Sequence, residues 1–444
     1  MTSARICVIG AGPCGIAAVR CLREAGLTDI VCFDRGKQVG GNWVFDADSG
    51  HSSVFETTHI ISSRRYSEYQ DFPFPDGTPD YPGHADLAAY FQSYSEAFGV
   101  LPHVQFQHTV LACAPLDSGF EVSVRNDATG EVRTERFARL VVASGHHWKP
   151  RWPDLDGEFS GRLLHSHDFK RAAPFAGQRV LVIGGGNSAC DVAVEVSRVA
   201  ARTDLSWRRG YWIVPKFVFG QPSDHLHNRA HHWLGLLPLA WRLRLLEGVL
   251  RLVNGANAAY GLPEPDHRFG ETHPTINSEL LYFLRHGKIG PRSDIRTVDG
   301  QTVTFTDGQS EAYDTIIACT GFEICHPFFD PGFIDFSEGA VPLYLKMLPR
   351  DRQDLAFVGL FQPLGCIWPC AELQSRLLAR LWTGRWSPPA DLNAAIDSEM
   401  RQPHLRQLDS PRHSITVDEP TFRARLRREL GPSSAATTSP REAS

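Results

Sequence analysis

Ile6-Cys7-Val8-Ile9-Gly10-Ala11-Gly12-Pro13-Cys14-Gly15 stands near the start of the chain, and Val180-Leu181-Val182-Ile183-Gly184-Gly185-Gly186-Asn187-Ser188-Ala189 repeats its form near the middle of the 444 residues. Each is an apolar run of strand length that breaks into glycines and continues as a helix, to about Ala25 in the first case and about Ala200 in the second. In the first, Gly10 allows a tight turn, Gly12 lets the backbone approach a pyrophosphate, and Gly15 permits close packing of helix on strand. The helix start then offers N–H donors and positive dipole to an anion. A second strand, Ile30 to Phe33, ends in Asp34, about 20 residues past the glycines, where a carboxylate accepts hydrogen bonds from a ribose hydroxyl. Arg35 follows it.

The second loop keeps the pattern with Ala189 in place of the third glycine, still small enough for close packing. Its second strand ends in Arg208-Arg209 instead of an acid. Two guanidinium groups at the strand end where the 2'-position of a ribose falls favour a 2'-phosphate, and so NADPH over NADH. An apolar strand ends at Ala143-Ser144-Gly145 before this unit, and another ends at Cys319-Thr320-Gly321 after it. That is the pattern of a chain that leaves one domain, builds a second, and returns. The expected fold is α/β, with two Rossmann-like dinucleotide-binding domains and the NADPH domain inserted into the other.

Composition bounds the partners. A net charge of -5 and a pI near 6.4 give no general attraction to nucleic acid or an anionic membrane. The ten cysteines are scattered singly and no Cys-x-x-Cys occurs, which disfavours a dithiol reductase. With apolar neighbours and no signal-peptide pattern, they read as buried thiols of a cytoplasmic protein.

Between the loops, Gly40-Gly41-Asn42-Trp43 suits a backbone pressed on a flat ring or phosphate, and Asp71-Phe72-Pro73-Phe74-Pro75 excludes a helix interior. From Ala85 to Phe98, Leu87, Tyr90, Phe91 and Tyr94 share a helical face. Val104 to Phe137 reads as a short meander. Phe159 to Lys170, with Phe159, Gly161, His165, Phe169 and Lys170 at its fixed points, reads as a linker between the two nucleotide units, with Gly161 as its bend. A Trp-, Leu- and Arg-rich helical excursion at about 225–270 is broken by Pro238 and arginines, so it fits no bilayer span but suits a lid or a membrane surface. His225, His227, His231 and His232 cluster there without acids or thiolates, so no metal is assigned. After Leu355 to Gly359, a further core strand, a helix from about Ala371 carries Glu372, Gln374 and Arg376, and the tail 432–444 has the composition of disorder.

Taken together, Gly10-x-Gly12-x-x-Gly15, Gly40-Gly41-x-Trp43, Asp71-Phe-Pro-Phe-Pro, Phe159-x-Gly161-x-x-x-His165-x-x-x-Phe169-Lys170, Gly184-x-Gly186-x-x-Ala189, Thr320-Gly321-Phe322 and Glu372-x-Gln374-x-Arg376 resemble the flavin-containing monooxygenases, single-component enzymes that use FAD and NADPH. The resemblance runs from about Arg5 to Pro388. It implies an FAD domain at 1–168 and 317–431 with the NADPH domain at 169–316. It also implies that FAD contacts include Gly10, Gly12, Gly15, Asp34, Arg35, Gly41, Trp43, Thr320, Gly321 and Gln374. Gly184, Gly186, Asn187, Ser188, Arg208 and Arg209 would hold NADPH. The implied reaction reduces FAD with NADPH, captures O2 as a C4a-hydroperoxide, and oxygenates the amine nitrogen or sulfide sulfur of a small molecule. The related Baeyer–Villiger enzymes, which act on ketones, carry Trp near the end of the linker motif where this chain has Phe169-Lys170. One departure stands out: the family's flavin-side Asn falls at Ile61, which cannot hydrogen-bond. His59 and Ser62 are the neighbours able to take its place as catalytic groups. Without such a group an uncoupled NADPH oxidase or redox-responsive flavoprotein results. Oligomeric state is not legible.

Overall fold

The computed structural model describes residues 4–47, 50–226, 228, 239–336, 339–401 and 415–431. They form two compact units, one of Met1–Phe45, Arg64–His146 and Glu323–Ser444, the other of Asp46–Ser63 and His147–Phe322.

In the first unit five parallel strands lie in the order Leu355–Phe357, Arg139–Val142, Ile6–Ile9, Ile30–Asp34, Val104–Phe106. Ile6–Ile9, at the centre, is buried on both faces, which its unbroken apolar sequence requires. Helices Pro13–Glu24 and Trp368–Trp382 pack on one another. Helix His84–Ala97 buries Leu87, Tyr90, Phe91 and Tyr94, the face its apolar spacing marks. The meander is shorter than its sequence suggests: Val104–Phe106 joins the parallel sheet, and only His108–Pro115, Phe120–Asn126 and Val132–Phe137 form an antiparallel ribbon.

The second unit repeats the plan, with parallel strands in the order Arg162–His165, Thr315–Ala318, Arg179–Ile183, Arg202–Ser206, Gly290–Arg292. Helix Asn187–Ser197 follows the second glycine loop, and Leu280–Arg285 packs against it. An antiparallel ribbon, Ile295–Gly300, Thr302–Phe305 and Ser310–Ala312, carries Gly157–Phe159 as a fourth strand.

This changes the reading of Phe159 to Lys170. The stretch is an integral part of the second unit: it leaves the ribbon and forms the edge strand of the parallel sheet, with His165 opposite Ala318. The unit also takes in 147–168 and 46–63, so its boundary falls earlier than the expected residue 169. Gly161 is required by close approach and not by bending, since a Cβ there would stand 2.6 Å from Phe159 Cζ and 2.7 Å from the Asp314 carbonyl oxygen.

In the excursion, helix Leu239–Asn254 sets Leu243, Leu246 and Leu250 against Trp212 and Phe269. His227, His231, His232 and the tail 432–444 lie outside the described residues. His225 pairs its Nε2 with Ser63 Oγ at 3.1 Å. Among the described residues no helix is long and apolar enough to cross a membrane.

Candidate functional site

Both glycine loops are shaped by the same contact. Gly10 has φ +102° and a Cβ there would lie 2.6 Å from the Ala143 carbonyl oxygen; Gly184 has φ +127° and a Cβ would lie 2.5 Å from the Cys319 carbonyl oxygen. The two strand ends that the sequence marks as a repeated hydroxyl-Gly pattern are therefore the walls against which each first glycine turns. Gly15 answers to its own loop, with a Cβ 1.8 Å from the Gly10 carbonyl oxygen. Ala189 takes the equivalent place and lies in ordinary contact, 3.4 Å, with the Cβ position of Gly184.

Helix Pro13–Glu24 is N-capped by Gly12 and helix Asn187–Ser197 by Gly186; neither has a side-chain cap or an acidic residue in its first turn. The amides of both first turns thus lack a side-chain acceptor, and a Cβ at Gly12 would meet nothing closer than Gly41 Cα at 3.6 Å. Two uncapped helix starts behind glycine loops fit two pyrophosphates. Ser188 is exposed on the second helix. Asn187 is engaged by the protein, its Oδ1 accepting from Ile276 N at 2.6 Å.

Asp34 ends its strand with Oδ2 accepting from Ala11 N and Oδ1 from Gly36 N, both at 2.6 Å. The carboxylate is held in place by the loop, at the strand end where a ribose hydroxyl would fall. Arg35, next to it, is exposed. Gly41 has φ +54° and backs onto Gly12, while Trp43 meets Trp368 edge-on at 6.1 Å. Gln374 is buried, with Nε2 donating to the Leu345 carbonyl at 2.9 Å and Oε1 accepting from Gly359 N at 3.0 Å. Its visible work is to fix backbone, including a residue, Leu345, at φ +53°.

In the second unit Arg208 is exposed and Arg209 half-buried. Thr320 donates its hydroxyl to the Arg151 carbonyl, and the Gly321 carbonyl accepts from Arg151 N at 2.9 Å. His165 is fully buried between Trp152 and Phe322, which approach edge-on at 5.5 and 5.3 Å. Its Nδ1 accepts from His167 N at 3.1 Å, and burial holds the imidazole below its ordinary pKa, so it is neutral. Phe169 packs between Phe55 and Phe175 in the core. Lys170 donates to the carbonyls of Ser52 and His167, and its own carbonyl accepts from Glu56 N at 2.9 Å. Its ammonium is pushed down by burial, partly offset by Asp168 and Asp46.

His59 and Ser62 belong to the second unit. His59 is half-buried with Nδ1 3.1 Å from the Thr57 carbonyl oxygen, and Ser62 is buried. His59 lies within electrostatic reach of Asp191, whose carboxyl is raised by burial against the lowering effects of Lys216, His59 and a 2.7 Å hydrogen bond from Asn277 Nδ2. The Lys216 ammonium is in turn lowered by burial.

Sequence reasoning missed Arg20. It donates to both Asp71 oxygens at 2.8 and 2.6 Å and approaches Glu372 at 3.4 Å, where Arg376 and Gln70 N also bind. Through Arg20 the partly exposed Asp71 and the buried Glu372, with Arg376, are one charge network, for which an arginine inside an otherwise apolar helix was the available signal.

Comparison with known proteins agrees with this geometry. The flavin-binding monooxygenase-like family matches residues 3–419. Dimethylaniline monooxygenase [N-oxide-forming] 2 of Pan troglodytes is 32% identical over 410 residues, covering 88% of this chain and 76% of that protein. Among solved structures, S-allyl-L-cysteine S-oxygenase from Allium sativum superposes with a TM-score of 0.71 at 22% identity, over 96% of this chain and 88% of that one. OTEMO in complex with FAD and NADP gives 0.72 at 18% identity, over 96% and 97%. The chain belongs to the flavin-binding monooxygenase-like family, FAD-dependent monooxygenases that take their electrons from NADPH.

Proposed function

We propose that the chain is a monooxygenase of small soft nucleophiles, inserting one atom of O2 into an amine nitrogen or a sulfide sulfur. The observation that carries the reading is the opposite chemistry at equivalent strand ends of two like-built units, Asp34 in one and Arg208-Arg209 in the other. A carboxylate suits a free ribose and repels a phosphate; a guanidinium pair does the reverse. The first unit therefore takes FAD and the second NADPH, giving an NADPH domain set within an FAD domain. The N-oxide-forming relative supports the amine as substrate class.

Bound FAD, once reduced, supplies the reaction with O2. The chain's own residues do the rest. Gly10, Gly12, Gly15 and the amides of the first helical turn hold the FAD pyrophosphate, Asp34 its ribose, and Gly41 and Trp43 the adjoining surface, with Arg35 at the rim and Gln374 fixing the backbone beneath. Gly184, Gly186 and Ser188 receive the NADPH pyrophosphate, beside Asn187, which ties the loop to Ile276. Thr320 and Gly321 form a turn braced by neutral His165. His59 and Ser62 are polar groups close in sequence to Ile61. A cytoplasmic location, with contact to a membrane surface through the excursion, belongs to the same proposal.

A second reading, an NADPH oxidase that releases peroxide, is favoured by Ile61 alone. One measurement decides between them: NADPH consumed, peroxide released and product formed by the FAD-loaded enzyme with N,N-dimethylaniline, a dialkyl sulfide and a cyclic ketone. N-oxide or sulfoxide in near-equal amount to NADPH supports the proposal. Ester from the ketone alone shows a Baeyer–Villiger enzyme, and peroxide equal to NADPH with every substrate shows the oxidase.

A further inference from the structure

The two arginines at the end of the second unit's second strand are not equivalent. Arg208 is exposed. Arg209 is half-buried, and its Nε is shut off from water without a hydrogen-bond acceptor among the described residues. Such a donor is costly unless something accepts from it. The nearby carboxylate of Asp266, held below its ordinary pKa chiefly by the His267 hydrogen bond and least by the Arg209 charge, is already paired with His267 Nδ1 at 2.9 Å.

What holds Arg209 is Tyr211. The guanidinium carbon stands over the Tyr211 ring, 5.6 Å from its centre. Contact with a ring face uses no N–H, so the donors stay available to an anion. The ring itself is fixed on several sides. Buried Trp207 meets it edge-on at 5.3 Å, and the Tyr211 carbonyl accepts from Asn257 Nδ2 at 3.0 Å. Gly210, just before it, has no room for a side chain, since a Cβ would lie 2.2 Å from the Glu264 carbonyl. On the remaining side is the glycine loop: a Cβ at Gly185 would fall 2.2 Å from Tyr211 Cε2 and 2.4 Å from Cδ2. The ring edge fills the space that a side chain at 185 would occupy.

We infer that Gly185, Tyr211 and Arg209 form one coenzyme-selecting device. The absent side chain at 185 lets the Tyr211 ring seat against the phosphate-binding loop, and the seated ring presents Arg209 to the 2'-phosphate of NADPH. Tyr211 is the positioning residue, Arg209 the fixed phosphate ligand, and Arg208 the exposed one. This explains why the middle position of the loop is glycine, which the loop's own turn and helix packing leave open. It rests on the assignment of the arginine pair to the 2'-phosphate.

The test is calorimetric titration of the FAD-loaded protein with NADP+ and with NAD+, read as the ratio of the two dissociation constants. The ratio cancels damage to the pyrophosphate site, which both ligands share. Tyr211→Leu is expected to reduce the preference for NADP+ by about threefold to tenfold, the range of a partly screened cation–π contact. Tyr211→Phe, which keeps the ring, retains the wild-type ratio. Gly185→Ala lowers the ratio as Tyr211→Leu does, and adds little to it in the Tyr211→Leu background, because both act through one ring. If Arg209→Ala weakens NADP+ selectively while Tyr211→Leu leaves the ratio unchanged, the positioning role is overturned and the 2'-phosphate assignment stands. If Arg209→Ala weakens NADP+ and NAD+ equally, the assignment itself falls, and the proposal with it.

Discussion

Replacing Arg20 by methionine removes the cation at the centre of the first unit's charge network and keeps a side chain of similar length and apolar stem. The side chains of Arg20 and Glu372 are 3% and 0% exposed, whereas those of Asp71 and Glu24 are 36% and 51% exposed. Breaking a buried pair from one side costs about 3–5 kcal/mol, because the remaining charge is stranded. Two features pull the figure down: Glu372 keeps Gln70 N at 2.8 Å and Arg376 at 3.0 Å, and Asp71 and Glu24 reach water. One pulls it up, the guanidinium lying 3.4 Å above the centre of the Phe98 ring, worth about 0.5–1 kcal/mol. The expected loss is about 3 kcal/mol, confined to the first unit. Native-state hydrogen exchange reads this locally: amides of Pro13–Glu24 and Trp368–Trp382 lose protection by that amount, while those of Asn187–Ser197 in the second unit do not. The double variant Arg20→Met, Glu372→Gln should lose at least about 1 kcal/mol less than the sum of the single changes. A loss below about 1 kcal/mol for Arg20→Met, additivity in the double variant, or equal loss in all three helices refutes the reasoning.

His326 sits among Phe328, Phe329, Phe336 and Phe357, and burial, with a lesser push from His146, lowers its pKa to about 4. The unfolded chain therefore binds a proton near pH 6.5 that the folded one refuses, so stability is full above that pH and falls by about 3 kcal/mol as pH drops to about 4; His326→Phe should flatten denaturation midpoints over that window, and an unaltered profile contradicts the assignment. Lys170→Met leaves the Ser52 and His167 carbonyls without their donor, an expected loss of about 1–3 kcal/mol, seen as faster hydrogen exchange and proteolysis in 50–63 with the first unit unaffected. Gly161→Ala drives a methyl into the Asp314 carbonyl and the Phe159 ring, so denaturant unfolding of the second unit should shift by about 1–3 kcal/mol. Ile61→Asn should raise product formed per NADPH if 61 is the flavin-side position, and unchanged coupling would direct attention to His59 or Ser62.

The strands, helices and both glycine loops were legible because local patterns dictate them: an unbroken apolar run, a glycine where φ is positive, a helix start without a cap. Glycines at 10, 15 and 184 are each fixed by one nearby carbonyl, and the sequence marks two of those carbonyls by its repeated strand endings. What escaped was set by contacts distant in sequence. Whether Gly161 bends a linker or admits a neighbouring strand depends on Asp314, and whether Gln374 faces a cofactor or the protein depends on Leu345 and Gly359.

The Asp71 and Glu372 motifs show the limit most clearly. They are far apart in the chain, and Arg20 joins them; only the join explains why the Glu372 carboxylate is tolerated at a fully buried position. A motif shared across a family signals constraint without saying what kind. Here the linker motif and the Glu372-x-Gln374-x-Arg376 motif act by holding backbone and charge inside one unit each, through Lys170 on two carbonyls and Arg376 on Glu372. Groups that meet cofactor are instead expected where the protein leaves polar capacity open, at the uncapped helix starts and on the guanidinium of Arg209, whose contact with a ring face uses none of its N–H groups. Open polar capacity, more than motif membership, is the physical criterion that separates a binding residue from a bracing one.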